Sequence, residues 1–136
     1  MDLDAKLVFA DSVDLTGMTV GDDDGVLMTD IDLASALHDL AGGRRTPWFR
    51  VSIEVDIEGT TSTVDFQLQD SPDDITYTDV AGYASGLVAE ATLVAGYKVL
   101  DMPLGDDLAR YLRFNVEVAV NTLTAGKVNA FLYFRD

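Results

Sequence analysis

Few residues of this sequence could carry out catalysis or bind a transition metal. His38 is the only histidine, and the chain has no cysteine. Most nucleophile-and-base pairs and nearly all zinc sites need more of those side chains. His38 lies beside Asp39 in a segment of helical spacing, where a surface histidine is the simplest interpretation. We therefore expect a protein that is not an enzyme and uses no cofactor.

Carboxylates are the one abundant chemical group, with 24 acidic residues in all. The densest acidic segment runs from Asp22 to Asp32, and calcium prefers several oxygen ligands on a flexible loop. The segment departs from the EF-hand pattern, because placing Gly25 at the glycine position puts Val20 at the first ligand and Ile31 at the bidentate acid. We interpret it as a solvated acidic loop, and calcium binding there stays open.

Two further classes of site find no support in the sequence. A glycosidase pair needs two acids about 5 to 10 Å apart in a cleft, whereas Glu54 and Asp65 lie on outward faces of predicted strands, where only a surface groove is available. The glycines follow neither the G-x-G-x-x-G pattern nor a Walker sequence. Nucleotide binding is therefore unsupported.

The elements that must position these residues are strands, because apolar and polar residues alternate along four segments. The first runs from Trp48 to Ile57 and places Phe49, Val51, Ile53, Val55 and Ile57 on one buried face. The other three are Thr63 to Gln69, Arg110 to Val120 with Val120 on the buried face, and Lys127 to Arg135. The second face of the last segment is aromatic, with Phe131 and Tyr133. Each segment should turn one side to a common core.

Weaker strand patterns and turn signals complete an all-β domain. The weaker strands are predicted at Lys6 to Ala10, Ile75 to Val80, Leu87 to Leu93 and Tyr97 to Met102. Leu33 to Leu40 is the only segment with helical spacing, which allows one short helix in a loop. We therefore predict about eight strands in two packed antiparallel sheets, which form one domain over residues 1–136.

The charge of the chain limits the classes of partner that it is expected to bind. The formal net charge is −15, so the field of the domain disfavours binding to phosphate and hence to nucleic acid. No apolar stretch reaches the roughly 18 to 20 residues of a membrane span. The acidic start from Met1 to Asp4 lacks the basic region of a secretory signal. We therefore expect a protein made in a cytoplasm, with neither nucleic acid nor membrane as a partner.

A candidate contact surface remains on the outward faces of the strands. The residues there combine aromatic rings with guanidinium groups, as the centres of protein interfaces do. The chosen set is Trp48, Arg50, Tyr111, Arg113, Tyr133 and Arg135. Phe131 lies on the same outward face and could instead belong to the core.

Several segments resemble a known family. These are Val64 to Asp74, Ala95 to Tyr97, Met102 to Gly105, Arg110 to Phe114 and Thr124 to Val128, with Leu7 to Ser12 and Asp30 to Leu33 in the front half. In order and spacing the series resembles the capsid cement, or decoration, proteins of tailed bacteriophages. The segment 34–46 is longer than the family usually carries, and its role is open.

The resemblance implies a jelly-roll sandwich on the outer surface of an icosahedral virion. It would bind the HK97-type major capsid protein, bridge neighbouring capsid subunits and stabilise the shell, as a homodimer or alternatively a homotrimer. The alternative from the residues themselves is a non-catalytic carbohydrate-binding β-sandwich, in which Trp48, Tyr111 and Tyr133 would stack on sugar rings. A cupin-like enzyme is disfavoured, because cupin metals usually need several histidines.

Overall fold

The computed structural model describes residues 7–23, 29–33, 47–105 and 108–134, and this part of the chain is almost entirely strand. Its ten strands are β1 (Val8–Asp14), β2 (Gly21–Asp23), β3 (Ile31–Asp32), β4 (Pro47–Glu58), β5 (Thr63–Ser71), β6 (Thr78–Ala84), β7 (Val88–Ala89), β8 (Lys98–Pro103), β9 (Tyr111–Ala119) and β10 (Ala125–Phe134). One turn of 3₁₀ helix, Glu90–Thr92, follows β7. None of the described residues forms a helix long and apolar enough to cross a membrane.

The strands form two antiparallel sheets packed face to face. Sheet A has the order β1-β10-β4-β8, and sheet B has the order β2-β9-β5-β6, with β3 added to β9 and β7 to β5. Strands that are distant in sequence are neighbours in space, which is the double Greek-key order of a jelly roll. The predicted all-β jelly-roll sandwich is thus confirmed.

Four phenylalanines join the two sheets at the centre of the core. Phe66 and Phe114 in sheet B are stacked, with centroids 6.1 Å apart. Phe114 meets Phe49 of sheet A edge-on at 6.3 Å, and Phe49 meets Phe9 at 5.7 Å. All four rings are fully buried. Such ring pairs add to the hydrophobic gain of burial and hold the sheets in register.

The alternation of the four main strands is confirmed except at two valines. Val55 was predicted to face the core and is 43% exposed, because Lys127 pairs with Val55 while Val128 pairs with Ile53, which leaves one extra residue in β4. Such a β-bulge changes the side-chain parity and turns Val55 outward, and a second register shift, between Ala125 and Lys127, restores the predicted parity at Ile57, which is 2% exposed. Val120 was also predicted to be buried and is 60% exposed, since its φ of 84° ends the strand at Ala119.

Three of the weaker strands differ from prediction, and the first of them, predicted at Lys6 to Ala10, continues to Asp14 as β1. The pattern from Leu87 to Leu93 yields only the two residues of β7 before the 3₁₀ turn. The strand predicted from Ile75 begins at Thr78, because the Asp73 carboxylate accepts hydrogen bonds from the Ile75 and Thr76 amides and holds them in a turn. The short helix predicted from Leu33 to Leu40 and the insertion at 34–46 lie outside the described residues, apart from Leu33.

Candidate functional site

Three of the predicted contact residues meet on the outer face of sheet A. Trp48 in β4 is the cross-strand partner of Tyr133 in β10. The Arg50 guanidinium lies over the Tyr133 ring, 4.6 Å from its centroid, and donates hydrogen bonds of 3.1 Å to the Tyr133 hydroxyl and to Asp101 Oδ2 in β8. Tyr133 in turn donates to Asp101 Oδ1. We call these four residues the aromatic cluster.

The aromatic cluster is held tightly and offers only part of its area to solvent. Tyr133 and the neighbouring Phe131 are each 8% exposed, and the side chains of Arg50 and Asp101 are 17% and 18% exposed. Burial opposes the charge on Arg50, but hydrogen bonding to and attraction by Asp101 outweigh it, so the pKa of Arg50 is raised. The guanidinium is therefore charged at every physiological pH and fixed in position.

The same face of sheet A continues past the aromatic cluster into a more open region. Lys98 in β8 is the cross-strand partner of Ser52, and Lys127 in β10 is the partner of Val55. Tyr97, next to Lys98, accepts a hydrogen bond from the Ile53 amide through its carbonyl and so lies against β4. Tyr97 is 39% exposed, and both lysines are exposed. We call Val55, Lys98 and Lys127 the lysine patch. Two exposed carboxylates lie in the same region, Glu54 beside Val55 and Asp14 across from Lys127.

The outer face of sheet B carries two other predicted contact residues in a polar setting. Arg113 donates to Gln69 Oε1 from Nε at 3.0 Å and from Nη2 at 2.8 Å, and it stacks on the Tyr77 ring at 4.2 Å. Tyr111 lies under Arg110 at 5.0 Å, and Arg110 forms a bidentate pair with Asp32 at 2.9 and 3.0 Å. These guanidinium groups are engaged with groups of the chain itself.

Amide side chains separate two opposed carboxylates on the same face. Asp65 and Glu117 are cross-strand partners, and like charges placed so are destabilising. Gln67 Nε2 donates to both, at 2.8 and 3.3 Å, and its Oε1 accepts from Asn115 Nδ2 at 3.1 Å. Asn115 is 1% exposed, and its Oδ1 is buried without a hydrogen-bond partner. The network gives sheet B a rigid, acidic outer face.

A second pair of acids lies at the edge of this face. The Tyr77 hydroxyl donates to Asp74 and, at 3.2 Å, to Asp30. Burial, followed by hydrogen bonding and repulsion from Asp74, raises the pKa of Asp30 above 3.8, although Tyr77 and Arg113 oppose the shift. The folded protein thus holds this proton more tightly than the unfolded chain, and stability is lost as the pH rises through the pKa of Asp30.

Removal of the Asp30 charge should restore the stability that the folded protein loses as the pH rises. Asp30→Asn is expected to gain a few tenths of a kcal/mol at pH 7 and none at about pH 3, where the carboxyl is protonated in both states. Urea unfolding at the two pH values measures the difference, with the exposed Asp11→Asn as the control. Equal effects of Asp30→Asn at both pH values would contradict the interpretation.

The structure divides the predicted contact set between opposite outer faces. Trp48, Arg50 and Tyr133 lie on sheet A, Tyr111 and Arg113 lie on sheet B, and Arg135 lies outside the described residues. The three rings of the carbohydrate alternative are split in the same way, so they do not form one sugar-binding platform. The lysine patch was not predicted, because an exposed lysine does not by itself indicate a contact surface in a sequence. Its position across from an exposed valine follows only from the bulge in β4.

The other candidate groups give weaker evidence for a functional site. His38 and the side chains of Asp22 to Asp24 lie outside the described part of the molecule. Among the residues described, no three His, Cys, Asp or Glu side chains come together as metal ligands. A cleft of about 390 Å³ is lined by Asp56, Glu58 and Glu90 beside Val94 and Thr124. Asp56 already accepts a hydrogen bond from the Ala95 amide, and Glu90 one from the Thr61 amide.

The sequence matches the model of a known protein family. The model of the Bbp16 family matches residues 9–132, which is nearly the whole chain and includes all or most of each long strand. No curated protein matches the sequence.

Proposed function

This chain belongs to the Bbp16 family of phage-related proteins, and on that premise we propose that it is a capsid decoration protein. It binds the outer surface of an icosahedral phage shell, bridges neighbouring major capsid protein subunits and stabilises the shell. The outer face of sheet A is the docking face, and the outer face of sheet B points to solvent. The observation that carries the proposal is the contrast between these two faces.

The docking face has the composition of a protein interface. It combines Trp48 and Tyr133 with the fixed guanidinium of Arg50, and Trp, Tyr and Arg are the residues that most often dominate binding energy. Its two lysines add positive charge to a chain of net charge −15. The opposite face holds Asp65, Glu117 and the Asp30–Asp74 pair beside Arg113, whereas on sheet A Arg50 pairs with Asp101 and Lys127 lies across from Asp14. Docking through sheet A therefore turns the most acidic surface away from the shell and keeps finished particles apart.

Many modest contacts suffice for such a function. A standard interface buries about 800 Å² on each partner. A copy that touches two or more capsid subunits gains from high effective concentration once its first contact is made. A shell carries many copies, so weak individual contacts sum to strong resistance against internal pressure. Binding at local symmetry axes as a dimer or trimer would multiply the same gain.

Binding to expanded shells tests the proposal. Wild-type protein is expected to co-sediment saturably with expanded shells that lack it, to raise the temperature at which they open, and to bind free capsid subunits weakly. Trp48→Ala should reduce the affinity by about tenfold or more, as removal of an interface anchor does. Tyr111→Ala, an aromatic truncation on sheet B, is the matched control and should bind like the wild type.

Two results would count against this function. One is a folded wild-type protein that ignores expanded shells at micromolar concentration. The other is equal loss of binding in Trp48→Ala and Tyr111→Ala, which would remove sheet A from the docking role. Circular dichroism of each variant establishes that it is folded before binding is compared.

A further inference from the structure

We propose that one end of the sandwich is a second contact surface, and that its acidic cleft receives a lysine or arginine side chain of a partner protein. This end, which we call the loop end, consists of residues 15–20, 59–62, 90–97 and 120–124, at the side where β4 and β9 finish. The proposal rests on the function proposed above and goes further, because a protein that bridges two subunits needs a second contact.

Hydrogen bonds join the four loops of the loop end into one continuous surface. They run from the Gly17 amide to the Leu123 carbonyl at 2.8 Å, from Asn121 Nδ2 to the Thr60 carbonyl at 2.5 Å, and from the Glu90 amide to the Ser62 carbonyl at 3.1 Å. The Thr124 amide donates to the Glu58 carbonyl at 2.8 Å and so ties the loops to the end of β4. The loops hold a fixed arrangement, so little conformational entropy is lost when a partner binds.

Exposed valines are concentrated in these loops. Val20 is 57% exposed, Val94 45% and Val120 60%. The register that pairs Gly21 with Val118 places Val20 and Val120 beside the same end of the β2–β9 ladder. Val120 has a φ of 84°, which strains a β-branched residue by about 1–3 kcal/mol, and such strain is concentrated at functional sites. Binding residues of rigid scaffolds lie preferentially in their loops.

The cleft of about 390 Å³ lies at the loop end and is negative. Its acidic residues are Asp56, Glu58 and Glu90, and Val94 gives it an exposed apolar wall. No cationic side chain is among its described lining residues, and none of the three acids forms an ion pair within the described part of the chain. Lys127, on the outer face of sheet A, lies across from Asp14 instead.

One carboxylate oxygen of the cleft lacks a hydrogen-bond partner. Glu90 Oε1 accepts a hydrogen bond from the Thr61 amide at 3.1 Å, whereas Glu90 Oε2 is buried and unpartnered. Gly59 also lines the cleft and leaves space beside this oxygen, because an added Cβ would lie 3.1 Å from it. A buried acceptor without a partner is unfavourable, and a cation that donates to Glu90 Oε2 would remove that penalty.

The composition of the cleft favours a cationic side chain of a protein over other occupants. Lysine and arginine pack their apolar stems on apolar surface and extend their charged ends to polar groups, which matches Val94 beside three carboxylates. Among the residues described, no three acidic side chains converge as metal ligands, and the described lining holds no aromatic ring on which a sugar could stack. The carboxylates repel the phosphates of nucleic acid and lipid, and they repel the same end of a second copy.

The position of the loop end suits a bridging protein. The proposed docking face is the broad side of sheet A, whereas the loop end lies where the strands finish, so the two surfaces point in different directions. A copy docked through sheet A can therefore meet a neighbouring subunit with its loop end. The second contact then forms at high effective concentration.

Substitutions that remove one charge test the cleft. Glu58→Gln and Asp56→Asn should each weaken binding to expanded shells by about three- to fivefold. Asp56→Asn keeps an oxygen for the Ala95 amide. Glu58→Lys should weaken binding by about tenfold or more, because it adds repulsion to the lost attraction. Asp79→Asn is the matched control and should bind like the wild type, because Asp79 is an exposed aspartate of β6 that also accepts one hydrogen bond, from Gln69.

The apolar wall needs its own test. Val94→Ser should weaken shell binding by about twofold or more, since it removes apolar area from the contact. Ile75→Ser is the control, because Ile75 is 81% exposed in a loop at the opposite end of the sandwich and should bind like the wild type when substituted. Thermal unfolding of all variants establishes that each is folded before binding is compared.

The outcomes separate this inference from the function on which it rests. If the wild type binds shells, Trp48→Ala binds them less tightly and the cleft variants bind like the wild type, only this inference falls. If the cleft variants change the mass of the free protein in light scattering and leave shell binding intact, the occupant is a second copy. If calcium raises the unfolding temperature of the wild type but not of Glu58→Gln, and shell binding is intact in both, the occupant is a metal ion. Either of these results overturns the inference. If the wild type does not bind shells, both proposals fall.

Discussion

Phe114→Ala is expected to lower the free energy of unfolding by about 3–5 kcal/mol, the usual cost of truncating a buried phenylalanine to alanine. Phe114 is fully buried, stacks on Phe66 and meets Phe49 across the sandwich. The truncation would leave a cavity between the two sheets where rings from four strands converge. Because domains are stable by only about 5–15 kcal/mol in total, the variant should lie close to unfolding at 37 °C.

Chemical unfolding followed by fluorescence measures this loss, and Trp48 is a convenient probe because it is the only tryptophan. Phe114→Leu should cost less than Phe114→Ala, since it retains most of the apolar volume. Ile75→Ala, at a residue that is 81% exposed, should stay within about 0.5 kcal/mol of the wild type. A loss below about 1 kcal/mol for Phe114→Ala would mean that the sheets do not pack as described.

Gly126→Ala is expected to cost about 2–4 kcal/mol, from backbone strain and overpacking together. Gly126 has a φ of 136°, and an added Cβ would lie 2.7 Å from Ile57 Cγ1 and 3.0 Å from Ile57 Cα. The backbone of Ile57 cannot move aside without disturbing β4. The register between β4 and β10 shifts between Ala125 and Lys127, so the glycine also shapes the bulged end of sheet A.

The matched control for this variant is Gly17→Ala. Gly17 has a φ of 86°, and nothing lies within 4 Å of an added Cβ, so it carries the backbone strain alone and should cost about 1–2 kcal/mol. At a temperature where both variants are folded, only Gly126→Ala should also bind shells less tightly, because it displaces Lys127 and Val55. Equal stability of the two variants would exclude the contact with Ile57 as a source of strain.

Much of this fold could be predicted because strand periodicity is a local property. The alternation through Phe49, Phe66 and Phe114 was sufficient to identify the core side of three strands. The bulge at Val55 and the positive φ of Val120 could not be predicted, because both arise from pairing with distant residues. A valine contributes the same hydrophobic pattern to the sequence whether its side chain faces the core or the solvent.

The candidate site was less predictable than the core. Outward parity was sufficient to select Trp48, Arg50 and Tyr133, since strand periodicity separates outward from inward residues. It could not separate them from Tyr111 and Arg113, because parity does not say which sheet a strand joins. The buried amides Gln67 and Asn115 also escaped notice, since an amide on an outward face is ordinarily solvated.

The order of strands in sheet A has a consequence for biosynthesis. β10 lies between β1 and β4, so before its residues leave the ribosome only β4 and β8 can pair in this sheet. β1 begins at Val8 and β10 at Ala125, and at a translation rate of about 5–20 residues per second the first strand waits roughly 6 to 24 s for its neighbour. Nascent or truncated chains that lack β10 therefore lack the outer face of sheet A that we propose as the docking face.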